Sequence, residues 1–158
     1  MKHLSKIVFF FLYVTTALSF ISCEKENNKE TSIPFWRIYN KISLIEYQQL
    51  HNLSTPAIIK EAGYKQHDIY VIRWDNKYLQ AFDATCTNHS NDFSHETSYT
   101  KGDLFYICND CGTKFDIMNG IASKELNPNK SSNIKIKRLQ NYSCRFTDKN
   151  TILISNYR

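Results

Sequence analysis

Residues 86–116 read CTNHSNDFSHETSYTKGDLFYICNDCGTKFD and hold three of the chain's five cysteines and two of its five histidines. The sulfurs and one imidazole fall into two short pairs, Cys86-Thr-Asn-His89 and Cys108-Asn-Asp-Cys111. Two residues between ligands let one tight turn wrap a metal–ligand angle, and two such pairs on neighbouring hairpins supply the four corners of a tetrahedral site. Thiolate-rich sets of this kind hold zinc or iron–sulfur centres. Gly112, directly after Cys111, suits a knuckle whose backbone amides turn toward sulfur, because glycine takes positive φ without strain. His95, six residues beyond His89, is the alternative fourth ligand; a place in a polar surface loop is its commoner role.

Around this stretch the chain alternates as strands do. Residues 68–74 (DIYVIRW) set Ile69, Val71 and Arg73 on one side and Tyr70, Ile72 and Trp74 on the other. Asp75-Asn76 marks a turn, and residues 77–84 return as the second arm of a hairpin that ends just before Cys86. Residues 104–108 run as a strand into the second pair, residues 114–118 continue beyond it, and Asn119-Gly120 is a tight-turn signal. Residues 134–136 alternate, and residues 142–146 place Tyr142, Cys144 and Phe146 on one face. Residues 148–150 turn the chain into a last strand, 151–155. Upstream, residues 33–45 make a first strand and its lead-in. A short helix is expected over 43–53, where Ser43 and Glu46 have the spacing of a capping box. Residues 57–59 form another short strand. Ten Tyr, ten Phe and two Trp supply core material for a β-rich fold. Many short strands at close intervals predict a mostly β chain folded as a small sandwich or barrel with two metal-binding hairpin loops.

The order is a strand, Phe82-Asp83-Ala84-Thr85-Cys86, a loop, a strand, residues 108–120, and a closing strand pair. In that order residues 40–156 resemble the Rieske domain family, small β proteins that hold a [2Fe–2S] cluster between two hairpin loops. Phe115-Asp116 and Asn119-Gly120 match the family's phenylalanine–aspartate and its closing glycine turn. The family's ligands are Cys-x-His in the first loop and Cys-x-x-His in the second. Cys86 and Cys108 match its two cysteines. Asn88 stands in the place of the first histidine, with His89 one residue later, and Cys111 stands in the place of the second. Asn91 and Asp110 occupy the positions of an extra cysteine pair that cross-links the loops in some members.

The resemblance implies a [2Fe–2S] centre on Cys86, His89, Cys108 and Cys111, and electron transfer with a redox partner protein. A thiolate in place of a neutral imidazole adds negative charge beside the metal and lowers its reduction potential. It also removes an ionisable imidazole of the kind that couples proton to electron transfer, which argues against quinol oxidation. The same Cys3His set suits one Zn2+, and the protein is then a binding or structural module without redox activity. A third reading has no metal and a disulfide, Cys108–Cys111 or Cys86–Cys111, as an oxidising compartment allows. Use of Cys108 and Cys111 as a thioredoxin-like couple is disfavoured, because strand both precedes and follows them.

Cys144 is expected to be a small buried hydrophobe. His51 and His67 read as surface residues, and Asp83 and Asp116 as braces of turns and loops. No nucleophile–base set, phosphate loop or nucleotide motif is present. The chain therefore suits an electron-transfer subunit of an oxidoreductase better than an enzyme acting alone.

The N-terminus bears on the compartment. Lys2 and Lys6 precede an uncharged apolar run from residue 7 to 21, the layout of a secretory signal peptide and shorter than the ~20 residues of a bilayer span. Phe20-Ile21-Ser22-Cys23 resembles the lipobox of bacterial lipoproteins, with Phe20 where leucine is usual. An ordinary signal peptide with a chance cysteine is the alternative. The expected division is a lipoprotein signal peptide over 1–22, lipidated Cys23 and a charged tether over 23–32, and a folded domain over 33–158. The membrane is then met through the lipid, at the periplasmic face or the outer membrane. Glu24 and Glu26 hint at surface exposure. A net charge of +5, with only Lys135, Lys137 and Arg138 clustered, does not favour nucleic acid.

Overall fold

Ile-Tyr-Val-Ile at 69–72 is a run of β-branched and aromatic residues, and it forms the strand around which the fold is laid down. The computed structural model describes residues 33–89, 92–123 and 138–156. The expected signal peptide and tether, Cys23, Asn91 and the strand expected over 134–136 lie outside the described residues. The strands are β1 (Tyr39–Ser43), β2 (Ala57–Ile59), β3 (Ile69–Arg73), β4 (Leu79–Asp83), β5 (Thr97–Ser98), β6 (Phe105–Cys108), β7 (Lys114–Asp116), β8 (Asn141–Phe146) and β9 (Thr151–Ser155). Six form one antiparallel sheet in the order β1-β9-β8-β4-β3-β2, and three form a second in the order β5-β6-β7. The domain is mostly β, as its alternation predicts. Among the described residues no helix is long and apolar enough to cross a membrane.

β3 and β4 pair in register from Ile69↔Asp83 to Arg73↔Leu79. Asp75 closes their hairpin: its Oδ1 accepts the N–H groups of Lys77 and Tyr78 at 2.6 and 2.9 Å. Those two bonds hold its carboxyl below the usual range. Both faces of β3 are buried. Ile69 and Val71 join Ile38, Ile42, Leu50, Ala57, Ile152 and Ile154 in one core. Tyr70 and Ile72 join Phe82, Tyr106, Phe115, Cys86 and Cys108 in a second. The second core glues the small sheet to the large one. At its centre the rings of Tyr70 and Tyr106 stack with centroids 4.1 Å apart and planes 4° apart. Both hydroxyls are satisfied, by the carbonyls of Thr97 and Ile117. Phe82 and Phe115 are fully buried, a gain of roughly 2 kcal/mol apiece. Gly120, at φ +68°, lies so close to Phe82 that a Cβ would meet the ring at 2.9 Å.

Two expectations change. The helix over 43–53 is replaced by a turn and a single 3-10 turn, Gln48–His51, whose start has no side-chain cap. Ser43 belongs to β1, where it pairs with Thr151, and its hydroxyl accepts the N–H of Ile45 rather than capping a helix. His67 is half-buried, with Nδ1 2.7 Å from Thr85 Oγ1, and so is more than a surface residue. His51 is exposed. Cys144 is half-buried on the inward face shared with Tyr142 and Phe146, and burial pushes its thiol up to about 12.

Asp83 ends β4 and is fully buried. Its carboxylate accepts from Tyr64 N at 2.7 Å, Tyr142 Oη at 2.7 Å and Thr85 N at 2.9 Å, and also from Thr85 Oγ1. Gly63 leaves room for it, since a Cβ there would sit 2.5 Å from Oδ2. Asp83→Ala strands these donors in the core and is expected to cost about 3 kcal/mol in urea unfolding. Tyr142→Phe deletes one of the bonds and is expected to cost about half as much.

Candidate metal centre

The first loop leaves β4 directly after Asp83. A bridge between Thr85 and Glu96 closes its base, helped by Cys86 N–H donating to His95 O at 2.8 Å and Thr97 N–H to Ala84 O at 2.7 Å. Inside, Phe93 N–H bonds His89 O at 3.1 Å. Phe93 sits at φ +50°, a conformation that costs a bulky side chain about 1–2 kcal/mol. Its ring packs edge-on against Tyr64, which holds it there.

The second loop joins β6 to β7. Cys108 N–H donates to Thr113 O at 3.0 Å and Gly112 N–H to Cys108 O at 2.8 Å, with Gly112 at φ +68° as the knuckle requires. β5 follows the first loop and pairs with β6 so that Thr97 faces Cys108. That pairing brings the loops together.

Cys86, His89, Cys108 and Cys111 each direct one donor atom to a common place, and these four atoms lie within 4.8 Å of one another. Cys86 and Cys108 are buried, His89 and Cys111 half-buried. Cys86 Sγ and Cys111 Sγ are 3.8 Å apart, far beyond the ~2.05 Å of a bonded pair, and all four described cysteines are free thiols. His89 Nε2 is buried without a hydrogen-bond partner. An imidazole with one buried nitrogen left without a partner, on a ring that also offers a nitrogen to three converging thiols, suits a metal ligand. The donor set fits a thiolate-bound metal.

The electrostatics favour deprotonation. A hydrogen bond from the Cys86 thiol, joined by the N–H groups of Cys111 and Asp110, brings Cys108 down to about 4. Cys86 is pushed up, by its bond to Cys108 and then by burial. The pair therefore gives up one proton readily and holds the other.

Asn88 does not ligate. Its Nδ2 donates to Thr113 Oγ1 at 2.9 Å and lies 3.6 Å from Cys111 Sγ, while the Thr113 hydroxyl is 3.1 Å from that sulfur. His95 stays outside the cluster of donors. Its ring stacks on His89, centroids 3.9 Å apart at 29°, and its Nδ1 lies 2.9 Å from Asp110 Oδ2. That bond raises its pKa. Asp116 braces the turn after β7, its Oδ1 accepting from Met118 N and Asn119 N. His67, Asn88 and Thr113 are the neighbours of the site that spacing does not reveal.

No family model matches the sequence, and no curated protein matches it. Solved structures do. A quaternary ammonium Rieske monooxygenase in complex with an inhibitor superposes with a TM-score of 0.53 at 15% identity, over 77% of this chain and 31% of that one. This chain therefore spans about a third of the oxygenase's length. The ferredoxin of carbazole 1,9a-dioxygenase from Nocardioides aromaticivorans gives 0.42 at 14% identity, over 77% of this chain and 97% of the other. A putative NADH-dependent nitrite reductase small subunit from Mycobacterium tuberculosis gives 0.42 at 10% identity, over 78% and 99%. The likeness to the oxygenase shows the fold, a Rieske-like β domain.

Gly112→Ala forces a Cβ into the left-handed region and is expected to lower stability by about 1 kcal/mol. Urea unfolding of the metal-free protein reads this directly.

Proposed function

We propose that this chain is an electron-transfer protein whose iron–sulfur centre is held by Cys86, His89, Cys108 and Cys111. The observation that carries the reading is the convergence of a His89 ring nitrogen and three thiols within 4.8 Å on a Rieske-like fold. When bound, a [2Fe–2S] centre supplies a one-electron couple. Cys86 and Cys108, both buried, shield the inner side from water. Asn88 and Thr113 direct polar hydrogens toward Cys111 Sγ and draw off part of its charge. His89 and Cys111 are the half-buried pair, so electrons enter and leave on their side, where a redox partner protein would dock. Three thiolates place the potential below the about −150 to +300 mV of centres with two histidines.

One observation favours a second reading. Donors within 4.8 Å of one another, with two sulfurs at 3.8 Å, match a single tetrahedral ion. The edge of a tetrahedron with ~2.3 Å zinc–sulfur bonds is about 3.8 Å. Ligands on the two irons of a cluster lie farther apart. With Zn2+ the four residues staple the loops of a binding or structural module.

At the N-terminus the proposal includes a lipid on Cys23, which would hold the domain at the cell envelope. Fatty-acid labelling that persists in Cys23→Ala would refute that part.

Iron, acid-labile sulfide and zinc per chain, with an absorption spectrum of the same sample purified without chelators, decide between the readings. Two irons and two sulfides, lost in Cys108→Ser, are expected for the electron-transfer protein. One zinc and no colour would establish the second reading, and neither metal would overturn both.

A further inference from the structure

We infer that His95 and Asp110 form a clasp that positions His89 and sets the gap between the two metal loops. The inference rests on the reading that Cys86, His89, Cys108 and Cys111 share a metal. Two contacts carry it, one to each of two ligands, with an ion pair that reaches the second loop. The His95 ring lies 3.9 Å from the His89 ring, nearly face to face. The His95 carbonyl accepts the N–H of Cys86 at 2.8 Å. Asp110 Oδ2 takes His95 Nδ1 at 2.9 Å, and Asp110 is the residue next to Cys111 in the second loop. The pair thus ties the base of the first loop to the knuckle of the second.

His89 needs such a support. Its Nε2 makes no hydrogen bond, so a flat neighbour against the ring, together with the loop backbone, fixes its direction. Outer groups that orient a ligating ring by hydrogen bonding are worth about 10–100-fold in metal binding, and the stacked His95 ring orients His89 by contact instead. Asp110 and His95 are themselves largely at the surface, with side chains 54% and 34% exposed. An ion pair so exposed contributes little to the fold. Its effect on the site is therefore separable from any effect on stability.

The test is a Co2+ titration of metal-free full-length protein, followed by sulfur-to-cobalt charge transfer and by the visible bands of tetrahedral Co2+. These bands report ligand geometry whatever metal the protein carries in the cell. Asp110→Ala and His95→Ala are expected to bind Co2+ about 10–100-fold more weakly and to shift the visible bands. Asp110→Asn keeps an acceptor for the imidazole and is expected to restore both. The melting temperature of the metal-free protein is expected to stay unchanged in all three.

Alanine variants that bind like the parent with unshifted bands would overturn the clasp while leaving the four-ligand reading intact. Weakened binding matched by a fall in metal-free stability would assign the pair to the fold and overturn the clasp as well. A parent protein that takes up no Co2+ would overturn the four-ligand reading, and the clasp with it.

Discussion

One buried carboxylate organises the molecule. Asp83 accepts the backbone of Tyr64, the hydroxyl of Tyr142 and both polar groups of Thr85. These partners come from three separate stretches of chain. A charge this deep is tolerable only because its oxygens meet so many donors. The next residues are Ala84, Thr85 and Cys86, so the anchor also fixes where the first loop departs. His67 extends the network outward through Thr85 Oγ1.

The division into two cores explains how a small domain builds a metal-sized cage. The large sheet buries Ile69 and Val71 on its far face, in a core of their own. The near face, with Tyr70, Ile72 and Phe82, is free to receive the small sheet through Tyr106 and Phe115. Cys86 and Cys108 lie in this second core. They are held by packing as well as by hydrogen bonds. The half-buried members, His89 and Cys111, sit on loops and rely on neighbours such as Thr113, Asn88 and His95.

The strands were legible in the sequence because alternation is local and survives without context. So was the cluster of four donors, since a spacing of two residues already dictates a turn. The capping-box pattern at Ser43 and Glu46 misled, because β1 claims Ser43 for a ladder with a strand at the other end of the chain. β5 has only two residues, too few for any periodicity. That β3 is covered on both faces could not be read from a pattern that merely separates one side from the other. The partnership of His67 with Thr85, and of His95 with Asp110, depends on loops meeting in space. No window of sequence contains it.

β1 pairs with β9, Tyr39 opposite Ser155, so strands more than a hundred residues apart lie side by side. Such a contact closes a long loop and forms slowly. While the chain is being synthesised, β1 has no partner in this sheet until residues 151–155 exist. The large sheet can therefore assemble from β2, β3 and β4 outward, with β1 added at the end. β1 is left unpaired while the residues between it and β9 are made, in reach of any machinery that handles nascent chains, and the finished sheet then locks β1 to β9.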